Sequence, residues 1–228
     1  MNFKKLFKFD FLSDNAFPVA VILAAMMMTG VYAVITTVFK PEDSYEVEYE
    51  YKVYRSMSEL HLQETKAKVV RKIDEYIDSL APNSSLNGIA VLEACDEYNI
   101  DVCFVLAQGQ IESLFGTTGV ASKTNSVWNV KAYDGRSAQD MISKGHGFSH
   151  PDFSIRPYLE LLSRNYLSDE ITEYDLMKNF KSKAKRRYAS DPNYESKLMN
   201  TYNKIITKTN ISALYSEYKR YKIMLYAK

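Results

Sequence analysis

The chain opens on a lysine-containing stretch that mixes polar and apolar residues and then runs from residue 17 to 39 without a single charged side chain. A helix of that length covers about 30 Å of hydrocarbon, so a membrane span is expected there. The apolar run is longer than a signal-peptide core, and Val38-Phe39-Lys40-Pro41-Glu42 has no small-x-small cleavage pattern. The pattern then changes period. Val47, Tyr49, Tyr51 and Val53 alternate with Glu46, Glu48, Glu50 and Lys52, which predicts either a half-buried strand over 45–54 or a charged, extended spacer. From residue 58 to 80 the period becomes helical, with Val69, Val70, Ile73, Ile77 and Leu80 on one face. Ala81-Pro82-Asn83-Ser84-Ser85 ends that helix. Helices are expected at 87–98 and 101–114, then a polar Gly/Ser/Thr/Asn stretch to about 151, then further helices. The last segment carries an amphipathic stripe of Ile211, Leu214, Tyr215, Tyr218, Tyr221 and Leu225 beside Lys219, Arg220 and Lys222. That stripe suits packing on the domain, or contact with anionic wall polymer, lipid headgroups or a partner.

Charge orients the span. Lys4, Lys5 and Lys8 precede it, whereas Glu42, Asp43, Glu46, Glu48 and Glu50 dominate just after it. Positive flanks stay in the cytoplasm, so the chain beyond Lys40 is expected outside, as a single-pass membrane protein with its N-terminus inside. Across the whole chain 29 Lys and Arg balance 28 Asp and Glu, for a net charge of +1. With no basic block interleaved with aromatics, nucleic acid is not an expected partner. Cys95 and Cys103 are the only cysteines. They can pin the intervening turn as a disulfide or stay as buried thiols. No CxxC or His/Cys spacing exists to hold a metal, and His61, His146 and His150, which could suggest a metal or a catalytic pair, better suit surface or substrate-edge positions, so no metal or other cofactor is expected. If residues 45–54 form a strand, its open edge offers a pairing surface to a second copy.

One carboxylate stands apart. Asp101 is a good N-cap for a helix in which Glu112 follows Val105 by seven residues and Gln108 by four. Glu112 therefore lies near an apolar stripe, in the last turn, before Phe115-Gly116. Burial and the negative end of the helix dipole both favour its protonated form. A carboxyl that keeps its proton near neutral pH is what a glycosidic leaving oxygen requires. The alternative is an ordinary glutamate facing solvent. Gly109, one turn back, leaves room for a sugar or a neighbouring chain.

The residues around Glu112 resemble a known signature. Ala107-Gln108-Gly109-Gln110-Ile111-Glu112-Ser113-Leu114-Phe115-Gly116 is similar to the Ala-Gln-x-x-x-Glu-Ser-x-x-Gly element of the glucosaminidase family 73 of glycoside hydrolases. Asn125-Ser126-Val127-Trp128-Asn129-Val130-Lys131 resembles that family's Asn-Asn-x-Phe-Gly-Ile-Lys. Arg187-Tyr188-Ala189-Ser190-Asp191-Pro192-Asn193-Tyr194 resembles its Gly-Tyr-Ala-Thr-Asp-Pro-x-Tyr. These blocks occur in the family's order and span roughly 87–211.

The resemblance implies a mainly α (α+β), lysozyme-like domain, with a small β-containing lobe between about 125 and 152 and a groove beside Glu112. It implies cleavage of the β-1,4 bonds of peptidoglycan glycan strands, Glu112 as general acid and Tyr188 as the active-site tyrosine. It also implies substrate contacts from Gln108, Ser113, Asn125 and Trp128, although Trp128 also suits a core position. The chain then divides into a cytoplasmic tail (1–16), an anchor (17–39), an extended or strand-like spacer (40–57), and an amphipathic helix with linker (58–86). The glucosaminidase-like domain (87–211) and a C-terminal amphipathic helix (212–228) follow.

The departures are informative. Asn129 stands where the family has glycine, and asparagine tolerates the left-handed backbone a glycine would adopt. No glutamate lies between Glu112 and Glu160, so the second glutamate common in the family's small lobe is missing and Asp134, Asp140 and Asp152 are the carboxylates left there. Asp134 is the candidate base; otherwise the substrate's own N-acetyl group assists. A lytic transglycosylase of the same fold, or a non-catalytic wall-binding scaffold, remains an alternative. An anchored wall hydrolase also fits a phage-encoded origin.

Overall fold

The computed structural model describes residues 44–130, 138–144 and 146–226. The expected membrane span at 17–39 and the candidate base Asp134 lie outside the described residues, and among the described residues no helix is long and apolar enough to cross a membrane. The chain divides into two units, Met1–Ser56 and Met57–Lys228.

Helix α1 (Ser44–Leu80) replaces the strand or extended spacer expected over 45–54. A lone strand there needs a partner for its backbone groups, whereas a helix satisfies them within itself. Local bonds add to this: Glu48 and Lys52 pair at 2.7 Å one turn apart, and Ser56 Oγ donates to the Lys52 carbonyl at 2.9 Å. The alternating tyrosines become exposed helix positions, Tyr49 at 70% and Tyr51 at 55%. The open edge on which pairing with a second copy rested is therefore absent from this segment. Within the second unit α1 buries Ser58, Leu62, Thr65, Val69, Ile73 and Ile77 at spacings of three and four. Val70 is only partly buried and Leu80 is exposed, so the stripe is narrower than the sequence implies.

Helices α2 (Gly88–Tyr98) and α3 (Val102–Ser113) follow. Asn99 turns the chain between them in the left-handed region at φ 52°. Asp101 then caps α3 by accepting from Cys103 N at 2.6 Å and Phe104 N at 3.0 Å. Every residue from Val102 to Gly109 is buried, because α3 is surrounded on all sides. It packs on α2, on α8 (Tyr194–Lys208) and on α9 (Ile211–Tyr226). Between these come the short α4 (Ala121–Thr124) and α5 (Ala138–Ser143), a 3-10 turn at Pro151–Ser154, α6 (Ile155–Asn165) and α7 (Glu173–Lys178). α6 packs on α2, and α7 on α8.

The mainly α expectation holds, while the expected β-containing lobe does not appear among the described residues of 125–152. Its described part holds α5, which packs on α4 just before the stretch, and turns. Side-chain and loop bonds take the place of a ladder: Asn125 Nδ2 donates to the Phe148 carbonyl at 2.9 Å, and Phe148 N donates to the Thr124 carbonyl at 2.8 Å. Isolated bridges pair Ser168 with Ile171 and Lys181 with Arg187, outside that stretch. Cys95 and Cys103 are free, buried thiols, each pushed up in pKa mainly by burial.

The C-terminal stripe serves packing. Ile211, Tyr215 and Tyr218 are buried, Tyr218 OH donates to Asp96 Oδ2 at 3.1 Å, and Lys222 pairs with the same carboxylate. At the other end of α2, Asp74 of α1 accepts from Gly88 N at 2.6 Å, so the long helix caps the domain's first helix. A Cβ on Gly88 would meet Asp74 Oδ1 at 2.6 Å and the Val70 carbonyl at 2.8 Å. Gly88→Ala should therefore destabilise the fold by about 1–3 kcal/mol, read as a lowered Tm and denaturation midpoint.

Candidate active site

Glu112 occupies the last turn of α3 and is half-buried. The chain leaves the helix through two consecutive left-handed residues, Leu114 at φ 47° and Phe115 at φ 54°. Leu114 N and Phe115 N bond back to the carbonyls of Gln110 and Gly109 at 3.0 Å each. This sharp exit packs Phe115 under the helix end. Gly109 is small because of it: a Cβ there would lie 3.3 Å from the Phe115 ring and 3.3 Å from Trp128 Nε1. The space belongs to these rings, not to a sugar.

Two donors meet the carboxylate. Tyr194 OH donates to Glu112 Oε1 at 2.5 Å, and Asn129 Nδ2 donates to Oε2 at 3.2 Å and to the Glu112 carbonyl at 3.1 Å. Asn129 has φ 51°, the left-handed backbone expected where the family has glycine. It also supplies an amide that glycine lacks. Burial raises the Glu112 pKa above the usual carboxylate range; the bonds from Tyr194 and Asn129 pull the other way and are outweighed.

The Tyr194 hydroxyl is aimed by a buried chain of bonds. Tyr158 OH donates to Gln108 Oε1, which turns the Gln108 amide so that Nε2 donates to Tyr194 OH at 2.9 Å. With its oxygen accepting from Gln108, Tyr194 sends its own proton to Glu112. Burial pushes Tyr158 and Tyr194 far above the ordinary phenol range, and the Glu112 charge pushes further in that direction. Both hydroxyls therefore stay protonated and act as donors.

Tyr188 lies beside this chain, and the Glu112 carboxylate takes its bonds from Tyr194 and Asn129 instead. The Tyr188 ring stacks on Phe180 at 4.3 Å and lies tilted 5.5 Å from Tyr194. Burial is the main reason its pKa is raised, and the Glu112 charge adds to it. The four other residues expected to contact substrate all make structural bonds. Trp128 is 1% exposed, donates Nε1–H to the Val105 carbonyl at 3.1 Å and stacks on Tyr158 at 5.0 Å, so it offers no face to a sugar. Gln108 is fully buried in the chain above. Ser113 is buried and donates to the Val127 carbonyl at 2.6 Å. Asn125 caps α4 in the left-handed region and ties it to Phe148.

Tyr194 and Tyr158 were not anticipated. Tyr194 is the second tyrosine of the third motif block, and that was its only signal. Tyr158 sits in α6, outside every block. Among the described residues no group of three or more His, Cys, Asp or Glu is placed to hold a metal ion.

Residues 88–207 match the family model described as Glucosaminidase: Mannosyl-glycoprotein endo-beta-N-acetylglucosaminidase. The match starts at the first residue of α2, covers more than half of the chain and encloses the Glu112 cluster. The chain thus belongs to the glucosaminidase family and is a glycoside hydrolase. No curated protein and no solved structure matches it.

Because Trp128 holds the small segment to α3, Trp128→Phe should cost about 2 kcal/mol of stability through the lost indole bond and reduced packing. The Tm should fall, while KM for glycan stays near the wild-type value; a sugar platform would instead raise KM.

Proposed function

We propose that the enzyme hydrolyses the β-1,4 bond from N-acetylglucosamine to N-acetylmuramic acid in peptidoglycan glycan strands, with Glu112 as the general acid. The observation that carries this reading is a carboxyl whose pKa is raised by burial while two donors face its oxygens. In the free enzyme Glu112 keeps its proton to higher pH than an exposed glutamate does. As the glycosidic oxygen leaves, that proton passes to it and negative charge develops on Glu112. Tyr194 and Asn129 are positioned to take up this charge, so their bonds strengthen as the reaction proceeds. Tyr194 is a positioning residue in this scheme, held in turn by Gln108 and Tyr158. Tyr188 and Phe180 form an aromatic wall beside it.

Either Asp134 activates the water that attacks the anomeric carbon, or the substrate's own N-acetyl oxygen attacks that carbon as the glycosidic oxygen leaves and water then opens the resulting oxazolinium. The apolar run at 17–39, with basic residues before it and acidic residues after it, supports a single-pass anchor that presents the site to the wall outside the cytoplasm. A lytic transglycosylase also works with one glutamate, and the described cluster holds one carboxylate. Mass spectrometry of digested peptidoglycan separates the two: a reducing N-acetylglucosamine end supports hydrolysis, and an anhydromuramic end replaces it with transglycosylation.

Glu112→Gln should lower glycan cleavage by at least about a hundredfold. Unchanged cleavage in this variant sinks the assignment of the acid. The same substitution should raise Tm at neutral pH. A carboxyl with a raised folded pKa favours the native state below its unfolded value, and that contribution is lost as pH rises through the folded value. The variant's advantage should therefore be largest at neutral and alkaline pH and vanish in acid.

Tyr194→Phe removes a bond that lowers the Glu112 pKa, so the alkaline limb of the kcat–pH profile should move to higher pH. Its kcat should fall about tenfold as the developing carboxylate loses a donor.

A further inference from the structure

One strongly charged element takes no part in the chemistry above. Between Lys178 and Arg187 the chain carries Lys178, Lys181, Lys183, Lys185, Arg186 and Arg187, in a protein whose net charge is only +1. The segment is a closed turn. Lys181 bridges to Arg187, Ser182 N donates to the Arg186 carbonyl at 2.8 Å, and Lys185 N donates to the Ser182 carbonyl at 2.7 Å.

Its cations divide by role. Lys183 Nζ donates to the Ser163 and Arg164 carbonyls at the end of α6, at 3.2 and 2.9 Å. Arg187 pairs with Glu195 at 2.8 Å and donates to the Asp191 carbonyl at 3.1 Å. Lys178 lies over the Tyr174 ring. The Asp191 carboxylate is held by Lys197 at 2.6 Å. Lys181, Lys185 and Arg186 remain, all exposed and without an ion pair among the described residues. Lys185 is also held at φ 60°, where a side chain costs about 1–2 kcal/mol relative to glycine. Repulsion among these cations and that backbone cost both weigh against the turn unless an anion occupies it.

The turn also leads into the site. Tyr188 follows Arg187 directly, its N–H donates to the Phe180 carbonyl at 2.9 Å, and the two rings stack. Tyr188 touches Tyr194, and Tyr194 touches Glu112. The cationic turn is thus joined to the Glu112 cluster through the Tyr188 and Tyr194 rings. We propose that Lys181, Lys185 and Arg186 recognise the carboxylates of peptide stems carried by the glycan strand, selecting acidic, peptide-bearing strands over bare ones. This rests on reading the Glu112 cluster as the glycan-cutting site. Arginine suits a carboxylate through its paired donors, and the two lysines add charge without a fixed direction.

The test compares kcat/KM of the full chain on soluble glycan strands with their peptide stems and on the same strands stripped of stems by an amidase. The wild type should favour stem-bearing strands, and the preference should shrink as salt rises. The combined variant Lys181→Gln, Lys185→Asn and Arg186→Gln should reduce that preference roughly tenfold. Asparagine accepts the left-handed backbone at 185, so Tm should hold, and Lys185→Arg should keep the preference. An unchanged ratio in the combined variant, with both strands still cut, overturns this proposal alone. So does a loss confined to binding of a phosphate-bearing wall polymer. If the wild type cuts neither strand, the reading of the site falls and this proposal falls with it.

Discussion

The structure is organised around one half-buried carboxyl. Taking a carboxylate out of water costs several kcal/mol unless donors meet it. Glu112 meets that constraint through Tyr194 from α8 and Asn129 from the segment after α4. Neither is close to Glu112 in sequence, so the two sides of the fold must close on α3 before the site exists. The fully buried body of α3 is consistent with this, because a helix enclosed on all sides has a fixed last turn.

The chain of hydroxyl and amide bonds behind Tyr194 links stability to chemistry. Tyr158 stacks on Trp128 and turns Gln108; Gln108 then leaves Tyr194 one direction for its proton. A fully satisfied buried network of this kind defines one arrangement and penalises others. The residues expected to grip sugar, Trp128 and Gln108, belong to this support. Their place within the motifs is explained by the orientation they give to the groups that face Glu112.

The periphery completes the support. Within the second unit, residues 58–77 of α1 pack a buried stripe and cap α2 through Asp74. α9 ties down the α2–α3 turn through Tyr218, Lys222 and Lys219, the last donating to Asn99 Oδ1 at 2.7 Å. The family match covers neither α9 nor α1. Both add apolar burial and helix-end bonds to a domain that is small for its core.

Local chemistry made much of this legible in the sequence. Asp101 announced the start of α3, Asn129 the left-handed turn, and the ordered motif blocks the family. The period of three and four over Val69, Ile73 and Ile77 identified the buried face of α1. The alternation at 45–54 misled, because a period of two specifies a strand only when a neighbour accepts its backbone bonds. A helix needs no neighbour. Tertiary structure alone decided which residues meet the carboxylate. Tyr188 and Tyr194 are equally tyrosines to a sequence, and so are Trp128 as platform and Trp128 as core. What separates them is which hydroxyl reaches Glu112 and which ring is enclosed, and both follow from packing between segments distant in the chain.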